Sequence, residues 1–206
     1  MSSEVAAASP LELRVLPAQQ VPFADIETVF GTRGDPAGCW CQWYKIPGSD
    51  WRESPAELAA RLRTQIQTSD RGPGLVAYDG ETPVGWCAVE PRPALPRLQR
   101  KRIVANGSDE PDFDDDSVWA VSCFVVRRAH RRRGVGAALA EAAVVYAREQ
   151  GARVLEAYAV DPSARAKPPA ADLFPGTVTM FERAGFVEVS RPTPSRAVMQ
   201  VRFDRA

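Results

Sequence analysis

The residues from Arg127 to Gly136 carry the clearest chemistry in this sequence, because they combine clustered positive charge with two glycines. Five of the seven residues from 127 to 133 are arginine, and Gly134 and Gly136 follow. An apolar run precedes the cluster and an apolar-periodic segment follows it, which predicts a strand, a turn and the start of a helix. Free N–H groups at a helix start bind phosphate, and guanidinium groups add forked donors. The pattern therefore predicts a diphosphate site, with the glycines leaving those N–H groups uncovered.

Apolar periodicity and turn residues predict the elements that position this site. Ser54 and Glu57 have the spacing of a capping box at the start of one helix. The expected fold is a mixed α/β domain with one sheet covered on both faces. We predict strands at 11–16, 74–78, 83–89, 118–126, 153–160, 186–190 and 197–203, and helices at 22–30, from 54 onwards, at 134–150 and at 177–184.

Two long connections separate these elements. Residues 91–116 are basic in their first half and acidic in their second, which is typical of a solvated loop. The alternative is that their carboxylates attract a cationic substrate. Residues 162–175 form a proline-rich insertion.

The bulk composition excludes several classes of protein. Lysine plus arginine and aspartate plus glutamate number 26 each, so no global basic field draws in nucleic acid. No apolar run is long enough for a membrane helix, and the first ten residues lack the features of a secretory signal. Four cysteines without such a signal favour reduced thiols in the cytoplasm. Because Cys39 and Cys41 are too close for the usual zinc spacing, we expect no metal. Residues 1–10 are expected to be a disordered tail and 11–206 a single domain.

The order of these motifs resembles the GNAT superfamily of N-acetyltransferases. The resemblance rests on the strand at 118–126, on Arg131-Arg-Arg-Gly-Val-Gly136 opening a helix, and on Met180-Phe-Glu-Arg-Ala-Gly-Phe186 between a helix and a strand. It covers about residues 74–203. It implies a mostly antiparallel sheet of six or seven strands, splayed between the strands at 118–126 and 153–160. It also implies acetyl-CoA, or another acyl-CoA, as the donor.

Carried over by position, the resemblance implies which residues bind the donor. The N–H groups from Arg132 to Ala137 are expected to hold the pyrophosphate. The strand end is expected to meet the pantetheine arm through its main chain, and the arginines after it are expected to reach the phosphates. The implied cofactor-binding residues are Phe124, Val125, Val126, Arg131, Arg132, Arg133, Gly134, Val135, Gly136 and Ala137.

The catalytic side chains depart from the family pattern at two positions. Phe181 stands where the family often has a tyrosine acid, and Ala120 where it often has a glutamate. Glu156 and Tyr158 share one face of the next strand and are the substitutes we predict as base and acid, the alternative being a glutamate that points to solvent beside a half-buried tyrosine. Ser122 lies on the same face as Ala120, where it is either an acceptor contact and proton relay or a small polar core residue.

An aromatic segment is expected to wall the acceptor pocket. Trp40, Trp43 and Tyr44 lie close to Trp51, and such a wall favours a cation or an aromatic ring. The alternative is a hydrophobic plug. The acceptor is expected to be a small-molecule amine or a protein amine, and the protein a monomer or a homodimer.

Three functions compete on these observations. The leading one is an N-acyltransferase, most simply an N-acetyltransferase, in which a primary amine attacks acyl-CoA directly in a ternary complex. The second is a catalytically silent acyl-CoA-binding or sensing module, favoured by Phe181 and Ala120. The third, a nucleic-acid-binding protein, conflicts with the zero net charge.

Overall fold

A seven-stranded sheet forms the centre of the computed structural model, which describes residues 12–164 and 170–204. The spatial order is β1-β2-β3-β4-β5-β7-β6, and every neighbouring pair is antiparallel except β4 and β5. The sheet confirms the predicted mixed α/β class. The strands are β1 (Leu13–Pro17), β2 (Gly74–Asp79), β3 (Thr82–Pro91), β4 (Val118–Val126), β5 (Val154–Val160), β6 (Val187–Thr193) and β7 (Arg196–Arg202).

The strands β4 and β5 separate part-way along their length, as predicted. Their pairing runs only from Val118 with Val154 to Val121 with Ala157. In the β3–β4 pair, Ala88 faces Cys123 while Val89 faces Val121, so Ser122 is the extra residue of a β-bulge. A bulge bends its strand and re-aims nearby side chains. The second half of β4 therefore leaves β5 and opens a cleft between the two strands.

Helices cover both faces of the sheet. One face packs against α6 and α7, and the other packs against α1 and α3 at one end and α4 and α5 at the other. Gly85 lets α6 approach β3, because a Cβ there would lie 2.7 Å from Val135 Cγ1. The helices are α1 (Phe23–Phe30), α2 (Asp35–Cys39), α3 (Pro55–Thr68), α4 (Pro96–Gln99), α5 (Arg102–Ala105), α6 (Val135–Glu149) and α7 (Val178–Arg183).

The predicted capping box opens α3. The Ser54 hydroxyl accepts a hydrogen bond from the Glu57 N–H at 3.4 Å, and the Glu57 carboxylate accepts one from the Ser54 N–H at 2.7 Å. Two N–H groups that lack intrahelical acceptors are thereby satisfied. Hydrogen bonds from Ser54 also lower the pKa of Glu57.

The expectation of a solvated loop at 91–116 is wrong. Its apolar side chains form a third core cluster with the sheet, and Arg92 is completely buried beneath it. Arg92 donates to Glu156 Oε2 and to the Glu110 carbonyl, both at 3.0 Å. A charge-rich composition concealed this arrangement because the partners of the charges are remote in sequence. The buried apolar residues of this segment are Leu95, Leu98, Val104 and Phe113.

The acidic half of the same segment holds the loop in place. Arg153 Nη2 lies 2.7 Å from Glu110 Oε2 and 2.8 Å from Asp115 Oδ2. The pKa of Asp115 falls to about 2 through its bonds to Ser117 and Arg153. Asp109 pairs with Arg202 at 2.8 Å. These carboxylates are therefore engaged by the protein's own arginines.

Some expectations fall on parts of the chain outside the description. The predicted tail at 1–10 and residues 165–169 of the proline-rich insertion lie there. Within 12–164 and 170–204, no helix has the length and apolar character needed to cross a bilayer. The same residues contain no group of three or more His, Cys, Asp or Glu side chains placed to hold a metal ion. All four cysteines are free thiols.

Candidate active site

The start of α6 has no cap from a side chain. Its N-cap, Gly134, has the left-handed φ of 90°, and a Cβ there would meet nothing within 4 Å. The first bond of the helix runs from Ala138 N–H to the Gly134 carbonyl at 3.0 Å. The N–H groups of Val135, Gly136 and Ala137 therefore precede the first intrahelical bond and are oriented to meet an anion.

The two glycines serve different purposes, which corrects one expectation. Gly134 supplies the positive φ that the turn requires. Gly136 does not clear space for a phosphate, because its Cβ would point at Met180 Sδ, 3.1 Å away. Gly136 instead allows α6 to pack closely on α7.

The arginines divide into two groups around this helix start. Arg127 turns away and donates to the Pro83 carbonyl at 3.2 Å. Arg131 and Arg132 are exposed beside the open N–H groups, and Arg131 Nε donates to the Val126 carbonyl at 3.0 Å. Arg133 is half-buried. Uncapped N–H groups with two exposed guanidiniums form a donor set that fits the diphosphate of acyl-CoA.

The splayed end of β4 directs a backbone donor into the cleft. Phe124 N–H donates to the Phe174 carbonyl at 2.7 Å, and Val160 N–H on β5 donates to the Gly176 carbonyl at 2.9 Å. Residues 174–176 therefore lie between the diverging strands. The position of the Phe174 oxygen shows that a carbonyl placed in the cleft is within reach of Phe124 N–H.

A cavity of about 610 Å³ adjoins this donor. Ser122 and Cys123 of β4 form one wall, and Trp43, Tyr44 and Trp51 form part of another. The charged residues on its lining are Asp35, Asp172 and Arg196. A second cavity of about 610 Å³ lies between α3 and the end of α6, and it shares no lining residue with the cleft. Of these two cavities, it is the first that adjoins the Phe124 donor and is the candidate acceptor site.

The predicted aromatic wall is correct for two of its three residues. Trp43 and Tyr44 line the cavity, while their part in binding stays a prediction. Trp40 is only 8% exposed and stacks on Phe30 with ring centroids 4.9 Å apart, so it belongs to the core and not to the cavity. One face of Trp43 already holds a cation, the Arg97 guanidinium 4.1 Å from its centroid.

Glu156 is not placed to act as a base. It shares a face with Tyr158 as predicted, and the Tyr158 hydroxyl donates to Glu156 Oε2 at 2.8 Å. However, Glu156 is 0% exposed and also accepts from Arg92, Ser108 and Gln200. Its carboxylate has no lone pair left for a substrate.

The Tyr158 hydroxyl is likewise occupied by a hydrogen bond within the protein. Its ring lines a smaller cavity, but its hydroxyl is bound to Glu156. Burial first, and the Glu156 charge second, raise the pKa of Tyr158 well above its usual range. The two residues therefore form a buried structural pair, so the alternative of a solvent-facing glutamate is wrong as well.

The hydroxyl-bearing residues that line the cleft are Ser122 and Tyr44. Both residues line the larger and the smaller cavity. Burial raises the pKa of Tyr44, so its hydroxyl stays protonated at neutral pH. Phe181, at 0% exposure, packs between Phe124 and Phe186, and Ala120 is equally buried. Neither of these two positions contributes a polar group.

Sequence comparison decides the family. The family model described as the acetyltransferase (GNAT) family matches residues 40–168. The chain belongs to the GNAT acetyltransferase family. No protein of curated function matches it in sequence.

Solved GNAT structures share the fold. A GNAT-family acetyltransferase from Streptococcus pneumoniae is 18% identical, with a TM-score of 0.53 over 94% of this chain and 100% of that one. A GCN5-related N-acetyltransferase from Kribbella flavida is 19% identical, with a TM-score of 0.51 over 93% and 98%. At these identities, the likeness is one of fold.

The GNAT family uses acetyl-CoA, and the donor set at α6 suits it. Sequence reasoning located the α6 donors, the splayed strand and Ser122. It missed Cys123 and Arg196, which line the same cleft. Arg196 gives no local signal, because only the return of β7 beside β5 brings it there.

Proposed function

We propose that this GNAT protein is an N-acetyltransferase that moves an acetyl group from acetyl-CoA to a primary amine by direct attack in a ternary complex. One observation carries the proposal. The uncapped start of α6 and the cavity of about 610 Å³ lie on either side of the same splayed strand, β4. A phosphate site and an acceptor pocket thus lie along one strand, whose Phe124 N–H points into the cleft between them.

The residues around α6 supply the donor's binding site. The N–H groups from Arg132 to Ala137 and the guanidiniums of Arg131 and Arg132 would hold the diphosphate, with Arg133 nearby. The main chain from Phe124 to Val126 would pair with the pantetheine arm as an added strand. Acetyl-CoA supplies the thioester that the acceptor amine attacks.

The residues that line the cleft have separate roles in the acetyl transfer. Phe124 N–H stabilises the negative charge that develops on the carbonyl oxygen, and such a fixed donor is worth roughly 10²–10³ in rate. The Phe174 carbonyl must release this N–H first. We assign Ser122 to orient the amine, and Tyr44, which keeps its proton, to protonate the departing sulfur. Asp35, on the cavity lining, is the carboxylate we assign to receive the amine proton.

A panel of amines tests the function by release of free thiol from acetyl-CoA. We expect turnover with at least one small amine, because the cavity is bounded on several sides. Tyr44→Phe and Ser122→Ala are expected to lower kcat, while Arg183→Gln, at an exposed residue that lines neither cavity, leaves kcat/KM unchanged.

The silent module predicts a different result. Acetyl-CoA would bind in calorimetry, yet no acceptor would accelerate thiol release. That outcome would remove the proposed transferase activity and leave the binding site in place.

A further inference from the structure

A smaller, basic cavity opens beside the acceptor cavity. It has a volume of about 220 Å³ and lies between α4, α5 and the sheet. Its charged lining residues are Lys101, Arg102 and Arg196, and no carboxylate belongs to that lining. The hydroxyl-bearing residues of the lining are Tyr44, Ser122 and Tyr158.

These three cations lack carboxylate partners of the kind that Arg92 and Arg153 have. Arg92 and Arg153 bind carboxylates at 3.0 and 2.7 Å. Within residues 12–164 and 170–204, none of Lys101, Arg102 and Arg196 forms an ion pair with a carboxylate. The Lys101 ammonium lies only over the Tyr44 ring, 6.0 Å from its centroid.

The buried carboxylate of Glu156 cannot neutralise this cluster. Glu156 lies behind Tyr158 and already accepts four hydrogen bonds. Like charges that share one small cavity repel each other unless an anion lies between them. A negatively charged group bound between the three cations would therefore relieve their mutual repulsion.

The basic cavity is continuous with the acceptor site. Tyr44, Ser122, Pro175 and Arg196 line both cavities. Arg196 is half-buried, so a charge-assisted bond from it is screened less than one at an open surface. A molecule with its amine at Ser122 can thus extend a second group towards the three cations.

We propose that the acceptor is an amine that also carries an oxyanion, a carboxylate or phosphonate-type group, and that Lys101, Arg102 and Arg196 bind this group. The inference rests on the proposed function, because it assigns the substrate class of that acceptor site. It disfavours polyamines, whose second charge is positive. The aromatic lining near Tyr44 and Trp43 suits an apolar body between the two polar ends.

Product-like ligands test binding independently of turnover. The probes are N-acetylphenylalanine and N-acetylphenylalaninamide, in which a neutral amide replaces the carboxylate, titrated by calorimetry in the presence of CoA. We expect the acid to bind at least about tenfold more tightly, as for a hydrogen bond to a charged group. Arg196→Gln should bring the two affinities to within about threefold, while the control Arg183→Gln preserves the preference. If Arg196→Gln fails to fold, Lys101→Gln replaces it in the same titrations, with the same expected result.

Turnover separates this inference from the function itself. Phenylalanine should be a better acceptor than phenylalaninamide, mainly through a lower KM, and Arg196→Gln should remove that difference. Equal binding of the two product-like probes to the unaltered protein would overturn the inference. If neutral and acidic amines were acetylated equally, the transferase function would stand and the inference would fall. If the acid bound preferentially without turnover of any amine, the anion site would stand and the transferase function would fall.

Discussion

The substitution Glu156→Gln separates a structural role from a catalytic one most sharply. The Glu156 carboxylate is 0% exposed and accepts from Arg92, Ser108, Tyr158 and Gln200, two donors on each oxygen. A glutamine keeps the shape but turns one acceptor into an NH₂ group, which faces two donors whichever way the amide is rotated. It also leaves Arg92 buried without a counter-charge.

The expected decrease in the free energy of unfolding follows from the loss of the Glu156 charge. Removing one partner of a buried ion pair costs roughly 3–5 kcal/mol. For a domain of this size, each kcal/mol lowers Tm by about 2–4 °C, so the expected fall is roughly 6–20 °C. Because Glu156 does not reach the cleft, kcat/KM measured well below the new Tm should change by less than about threefold.

Calorimetric melting and thiol-release kinetics on the same preparation give both quantities. The double variant Arg92→Met/Glu156→Leu is the matched control, since removing both charges should cost less than the sum of the single losses. A Glu156→Gln protein with unchanged Tm and a hundredfold lower kcat would refute the structural assignment and restore Glu156 as the base.

Three further predictions concern other parts of the molecule. Ser54→Ala removes the cap of α3 and should cost about 1 kcal/mol, a fall in Tm of about 2–4 °C; an unchanged Tm would mean that the box contributes nothing. Arg153→Met should flatten the loss of Tm on acidification. Arg153 lowers the pKa of Glu110, and Ser117 and Arg153 lower that of Asp115 to about 2 from 3.8. Stability from such groups is present above their unfolded pKa and is lost as the pH falls towards the folded value, so parallel acid profiles would contradict the assignment. Arg132→Gln should weaken acetyl-CoA binding about tenfold by calorimetry with Tm unchanged, and an equal Kd would exclude a phosphate contact.

Local signals in the sequence predicted much of the fold. Apolar runs and turn residues located the strands β4 and β5, and the Ser54–Glu57 spacing located the start of α3, because each of these depends on neighbours in the chain. The family resemblance supplied the splay, and the bulge at Ser122 gives it a physical cause.

The features that the sequence did not predict depend on contacts between residues that are far apart in the chain. The segment 91–116 was predicted to be a solvated loop because it contains many charged residues. However, Arg92 is buried against Glu156, which is 64 residues away in the sequence. Glu156 and Tyr158 were correctly placed on one face of the strand. The sequence did not reveal that Arg92 and Gln200 donate hydrogen bonds to the Glu156 carboxylate. Trp40 read as a pocket wall because its position in the α1–α3 core depends on stacking with Phe30.

Calorimetric titration of the unaltered protein with acetyl-CoA tests the central claim most directly. The account predicts saturable one-to-one binding, accompanied by a rise in Tm and weakened when Arg131 and Arg132 are both changed to glutamine. The absence of both heat and a Tm shift at millimolar acetyl-CoA would contradict the assignment of the α6 start and the β4 cleft as a cofactor site.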